Sequence, residues 1–274
     1  MKLRLLGCVI ASLLATPAMA VTVATAEQAK RIDTLMAPWT RSDAPGCSVA
    51  AIQDGEVVFE RGYGMAELEQ GVANRPETVF NIASMSKQFT TLSLVLLTED
   101  GKVSLDDDIR KYVPELPDYG GTITLRQLAN HTSGLRDYPG LLALSGWNWV
   151  DAVSEERILS LIARQKRLNF PIGSEYLYSN TGYFLMMLVV QRVSGQSLGD
   201  FADARIFKPL GMLHTRFYDD RTMIMPNRAV GHLRRDDGSI GIWRPTYEIV
   251  GDGAVLTTVE DVALMREVVG PTMG

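Results

Sequence analysis

From Ser84 to Asp100 the sequence reads as one helix with almost no side free for water. Phe89, Leu92, Leu94, Val95, Leu96 and Leu97 point in several directions around its axis. A helix that is apolar nearly all round is buried on most sides, and Gly101 is placed to end it. The rest of the chain must enclose this segment, so the fold needs a substantial core.

The first residues do not contribute to that core. Lys2 and Arg4 precede a short apolar run, Leu5 to Leu14, and Ala18-Met19-Ala20 supplies small residues at −3 and −1. That pattern predicts a signal peptide over residues 1–20 and a mature chain from Val21. The run is too short to span a bilayer, which takes about 20 apolar residues. Cys8 follows Leu5-Leu6-Gly7 as in a lipidation box, but too little apolar sequence precedes it. The expected destination is secreted or periplasmic, with no stable membrane insertion after cleavage. Cleavage leaves Cys47 as the only cysteine, which excludes an internal disulfide. It also lowers the basic residues from 27 to 25 against 32 acids, a net charge of −7. That sign disfavours nucleic acid and anionic lipid as partners. Stability must come from packing, for which residues 21–274 suffice as one large domain or two lobes. Nothing in the sequence sets an oligomeric state.

Along the chain, residues 27–37 form an amphipathic helix stopped near Pro38. Asp54-Gly55 joins two β-rich runs, Cys47 to Gln53 and Glu56 to Arg61, as a type I′ hairpin does. Helices are expected near 124–130, 154–164, 181–194 and 198–207, with Gly195 and Pro209 marking two ends. Asp236-Asp237-Gly238-Ser239 suggests a second hairpin turn, and Thr258-Val259-Glu260-Asp261 resembles a capping box. Strands, then helices, then strands predict an α+β lobe interrupted by a helical lobe. The α+β lobe covers about 21–83 and 226–274, and the helical lobe about 84–225.

Two motifs carry chemistry. In Ser84-Met85-Ser86-Lys87 the lysine lies one helical turn beyond the first serine, within reach of its hydroxyl. A serine alcohol is a weak nucleophile without a base beside it, and burial of an amine favours its neutral form. A helix N-terminus also offers free N–H groups to an oxyanion. The plainer interpretation is a capping serine and a solvated lysine. Tyr178-Ser179-Asn180 adds a phenol, competent in proton transfer, and an amide that can bond a substrate amide. Taken alone, it is equally an aromatic anchor and an Asn N-cap. No other serine here has Lys three residues later, and no other tyrosine has Asn two later.

The two motifs and their flanks resemble the class C β-lactamase-like branch of serine penicillin-recognising enzymes. This branch includes β-lactamases, D,D-carboxypeptidases, D-aminopeptidases and esterases. The resemblance runs from about residue 44 onward. It takes in Phe80 to Thr90, Leu105 to Asp108, Ile123 to Leu128, His131 to Leu135, Phe170 to Gly173 and Tyr178 to Asn180, in order. Gly251-Asp252-Gly253-Ala254 to Asp261 is similar to its later glycine-rich turn and helix. The resemblance implies an antiparallel sheet flanked by helices, with an inserted helical lobe. It also implies that Ser84 is acylated, that Lys87 and Tyr178 share the proton traffic, and that Asn180 bonds the substrate's acyl side chain. Which of Lys87 and Tyr178 is the base stays open. The implied substrate is a β-lactam, a D-Ala-type peptide or an ester; no cofactor and no metal is implied. His131, His214 and His232 lack ligand-like spacing, and His131 fits a helix–loop junction better than catalysis.

One departure stands out. The family's third motif, Lys or His then a variable residue then Gly, lies downstream of the glycine-rich turn, and this sequence ends at Gly274 soon after it. His131-Thr132-Ser133-Gly134 precedes Tyr178 and cannot replace it. The expectation is a chain truncated before the strand that supplies a second oxyanion N–H, with poor activity and a poorly covered hairpin. The alternative function is a catalytically impaired homologue that binds or senses.

Overall fold

The computed structural model describes residues 23–54, 56–148, 151–244 and 249–265. The segment assigned to a signal peptide lies outside them, as does the mature start at Val21. Thr25 opens α1 (Ala26–Met36) with a complete capping box to Gln28, and a 3₁₀ turn around Pro38 ends it. Strands β1 (Cys47–Gln53) and β2 (Glu56–Tyr63) form the expected hairpin, with Asp54 at φ +53° in its turn. Positive φ at this position suits Asp better than a β-branched residue. A bulge between Ala51 and Ile52 kinks the ladder. Short strands β3 (Met65–Glu67) and β4 (Val72–Ala73) pair with each other, and β5 (Phe80–Asn81) then leads into the first motif.

The helix read from Ser84 to Asp100 divides into a 3₁₀ turn, Ala83–Ser86, and α2 (Lys87–Glu99). It ends at Gly101 in the left-handed region. Helices α3 (Leu125–Ala129), α4 (Tyr138–Leu144), α5 (Glu155–Ala163), α6 (Asn180–Ser194) and α7 (Leu198–Ala202) build the helical lobe. Thr124, Ser154 and Ser197 cap α3, α5 and α7 through their hydroxyls, each bonding the N–H three residues on. A turn of π-helix, Asp203–Phe207, prolongs α7 to the predicted end. The sequence pattern did not mark α4, a short helix whose N-cap Asp137 makes no local bond.

Strand β6 (Arg216–Phe217) returns to the sheet ahead of residue 226, so a strand lies inside the span assigned to the helical lobe. Next come β7 (His232–Arg234) and β8 (Ile240–Ile242), a hairpin across the Asp236–Ser239 turn, and then β9 (Val255–Thr257) and α8 (Val259–Leu264). Only half of the expected box at α8 forms. Thr258 accepts from the Asp261 N–H, but the Asp261 carboxylate receives His214 N and Thr215 Oγ1 instead. Strand order β5-β9-β6 makes a three-stranded antiparallel sheet, and the β1–β2 hairpin stands as a separate ladder. The antiparallel β structure is thus divided among small sheets rather than one continuous one. An apolar cavity of about 310 Å³, lined by Cys47, Phe80, Ile82 and Val262 among others, lies between hairpin and sheet.

The core centres on α2 and α6. Every residue from Thr181 to Val190 is buried, as are Phe89, Leu94 and Leu97 of α2. Gly182 permits α6 to lie against α3, since a Cβ there would come within 2.8 Å of the Leu128 carbonyl oxygen. Among the described residues, no helix is long and apolar enough to cross a membrane.

Candidate active site

Three elements bring the predicted residues together. Ala83 holds φ +47°, unusual for a residue with a side chain. Its N–H bonds Asn81 Oδ1 at 2.8 Å, and the turn it makes lifts Ser84 from β5 into solvent. Ser84 lies in the first helical turn, where N–H groups have no intrahelical acceptor. One turn on, Lys87 is only 7% exposed. Its Nζ donates to Ser84 Oγ at 3.2 Å, to Asn180 Oδ1 at 2.9 Å, and in a short bond to the Asp252 carbonyl. The ammonium also faces the Tyr178 and Tyr183 rings, at 4.9 and 5.3 Å from their centroids.

Tyr178 comes from the extended segment before α6, and its hydroxyl donates to Ser84 Oγ at 2.7 Å. With 41% of its surface exposed, it forms part of the open mouth of the site. Asn180, the first residue of α6, turns its amide oxygen to Lys87 and its NH₂ toward Asp137 at 3.4 Å. Asp137 also accepts the Asn180 N–H at 2.6 Å, capping α6 from another part of the chain. Thr181 Oγ1 donates to the Arg136 carbonyl and receives the Tyr138 N–H, which secures this junction.

Ser84, Lys87, Tyr178 and Asn180 are thus joined in one hydrogen-bonded group. His131, placed by sequence at a helix–loop junction, is in a loop position with φ +58°. Its ring stacks on Tyr178 at 4.6 Å and on Tyr183 at 5.2 Å, and Nδ1 accepts the Ser179 N–H at 3.1 Å. Burial, helped by the nearby Lys87 charge, holds its pKa below the ordinary histidine value, so the ring is neutral at pH 7. Sequence reasoning missed Asp137, Tyr138 and Asp252. Asp252 is buried, receives the Tyr138 hydroxyl at 2.7 Å on Oδ2, and has no donor to Oδ1 among the described residues. Desolvation, opposed by the Lys87 charge, pushes its carboxyl up to about 7. An acid between two glycines, in the turn after β8, was the available signal. Among the described residues, no group of three or more His, Cys, Asp or Glu side chains is placed to hold a metal ion.

A serine hydroxyl met by a buried lysine and a tyrosine, in an α+β fold, is the arrangement expected of the β-lactamase-like class. The Beta-lactamase family model matches residues 29–267, and the chain belongs to that family. It is 32% identical over 219 residues to a D-aminopeptidase of Cereibacter sphaeroides (strain KD131 / KCTC 12085), covering 79% of this chain and 41% of the relative. An octameric penicillin-binding protein homologue from Pyrococcus abyssi matches with a TM-score of 0.76 and 29% identity, over 88% of this chain and 55% of that one. A penicillin binding protein from Bacillus halodurans matches with a TM-score of 0.74 and 26% identity, over 86% and 71%. The chain spans about two-fifths of the length of the curated relatives it matches.

Proposed function

We propose that this chain is a serine hydrolase or acyltransferase that forms an acyl-serine intermediate at Ser84. The observation that carries this is the pair of contacts on one oxygen: Tyr178 OH at 2.7 Å and Lys87 Nζ at 3.2 Å from Ser84 Oγ. Both are within the reach required of a general base. Ser84 Oγ attacks the carbonyl carbon while its proton passes to the Lys87–Tyr178 pair, which accepts it only in the form that has already lost one proton, as neutral amine or phenolate. The carbon–nitrogen or carbon–oxygen bond then breaks, and the same pair returns a proton to the leaving group. Water, or a second acceptor in transfer, attacks the ester and releases Ser84. Lys87 and Tyr178 act as a coupled pair, so the base belongs to both. The Ser84 N–H, in the first helical turn, is positioned to stabilise the oxyanion.

The substrate we infer is a small carbonyl compound: a β-lactam, a D-configured peptide or amide, or an ester. The name of the D-aminopeptidase relative supports the D-configured option. The exposed rings of Tyr176 and Tyr178 suit apolar acyl groups. The signal-peptide pattern over residues 1–20 supports an activity outside the cytoplasm. Hydrolysis of paired D- and L-aminoacyl amides, a chromogenic ester and a chromogenic β-lactam tests the proposal. We expect turnover of at least one, with D over L, and a loss of about 10⁴ or more in kcat for Ser84→Ala. Equal rates for wild type and Ser84→Ala would sink the reading.

A further inference from the structure

The Gly251–Val255 turn is fastened to the nucleophile's helix at successive points. Thr90 Oγ1 donates to the Gly251 carbonyl, Lys87 Nζ to the Asp252 carbonyl, and the Val255 N–H to Ser86 Oγ. Gly251 adopts φ +103°, with Met187 Cβ and the Tyr183 carbonyl 2.8 and 2.9 Å from where a Cβ would stand. No other residue type fits there without moving α6. The conformation presents one carbonyl to Lys87 and sends the Asp252 side chain inward to Tyr138, which is itself fully buried. Asp252 therefore touches α2 with its main chain and α4 with its side chain, and nothing in the proposed acylation cycle uses it.

A buried carboxyl with one oxygen unpartnered among the described residues is costly, and such groups concentrate where function retains them. Resting on the acyl-serine reading above, we propose that Asp252 is a positioning residue for Lys87. Its carbonyl holds the ammonium beside Ser84, and its carboxyl, tethered by Tyr138, is a counter-charge that competes with Ser84 for that ammonium. The titratable groups around it are Lys87 on α2 and Asp137 and Tyr138 at the start of α4. Lys87 favours the Asp252 carboxylate, and Asp137 and burial oppose it. The counter-charge is therefore absent in mild acid and present above neutrality, with its midpoint near pH 7.

The test compares wild type, Asp252→Asn and Tyr138→Phe in the full chain between about pH 5.5 and 8.5. One readout is the rate of Ser84 acylation by a fluorophosphonate probe. We expect the wild-type to Asp252→Asn rate ratio to change by about tenfold across that range, because the carboxamide cannot ionise. Tyr138→Phe, which removes a donor to the carboxylate, moves the inflection to higher pH. A ratio constant with pH overturns the proposal, since a purely structural role scales all rates equally. The second readout is carbon-13 NMR of the Asp252 carboxyl and the Lys87 ε-carbon, which needs no acylation. The carboxyl signal should follow the ionisation of Asp252 in wild type, and the Lys87 ε-carbon should report that same event through a shift change that vanishes in Asp252→Asn. A Lys87 signal indifferent to Asp252 overturns the proposal. If the probe leaves wild-type Ser84 unlabelled, the acyl-serine reading fails, and the NMR titration still decides the link between Asp252 and Lys87.

Discussion

Tyr178 reaches Ser84 with its hydroxyl and leans its ring on His131, so the imidazole fixes where the phenol points. The same ring takes the Ser179 N–H, which is otherwise buried without an acceptor. His131→Phe keeps the stacking and removes that acceptor. It should cost about 1–3 kcal/mol of stability and slow Ser84 acylation by about tenfold through a displaced Tyr178. Thermal melting and probe-labelling rates measure the two effects, and unchanged labelling would show that His131 does not hold the tyrosine. Ser84, Lys87, Tyr178 and Asn180 were legible because each pair is close in sequence and the spacing itself has chemical meaning. Asp252 and Tyr138 were not. They meet across 114 residues, and only the folded α4 and β9 turn bring them together.

Among the elements, the hairpin and the capped helices were readable for local reasons. Asp54 accepts the left-handed turn, and Thr25, Thr124 and Ser154 each bond an N–H three residues on. Helix α4 has no such mark, because its Asp137 carboxylate is spent on Asn180 at the start of α6. The α8 box fails in half for a similar reason, with Asp261 drawn to Thr215 and the His214 N–H. Long-range partners outcompeted the local pattern in both places. The closeness of α3 and α6 gives a direct test at Gly182. Alanine gains up to about 1 kcal/mol of helix propensity. Its Cβ, however, would meet the Leu128 carbonyl at 2.8 Å, and a backbone atom in a packed helix pair yields little. Overpacking costs about 1–3 kcal/mol, so Gly182→Ala should melt lower than wild type. A higher melting temperature would mean the two helices are not held at this spacing.

For the whole molecule, the sequence pattern anticipated the α+β class, but not the strand β6 inside the span assigned to helices. It did not anticipate the division of the β structure into small sheets, which depends on tertiary pairing. Stability should carry the imprint of the buried site. Asp252 holds its proton up to about pH 7 in the folded chain, whereas an unfolded aspartate loses it near 3.8. Between those values the folded state binds more protons, so this group's contribution falls as pH rises and levels off above about 7. His131, with its pKa lowered, works in the opposite sense, costing stability as pH falls below the ordinary histidine value of 6.5. The Asp252→Asn variant isolates the first effect. Its melting temperature relative to wild type should climb by roughly 5 °C or more between about pH 4 and pH 7, then stay level. A difference that does not vary with pH would deny the buried carboxyl. The central claim is that Ser84 is the nucleophile, and one experiment addresses it without depending on turnover. The chain is treated with a β-lactam or an activated ester, quenched in acid, digested and mapped by mass spectrometry. The acyl mass should fall on the peptide containing Ser84 in wild type and be absent from Ser84→Ala; an adduct on any other residue, or one that survives in Ser84→Ala, would contradict the account.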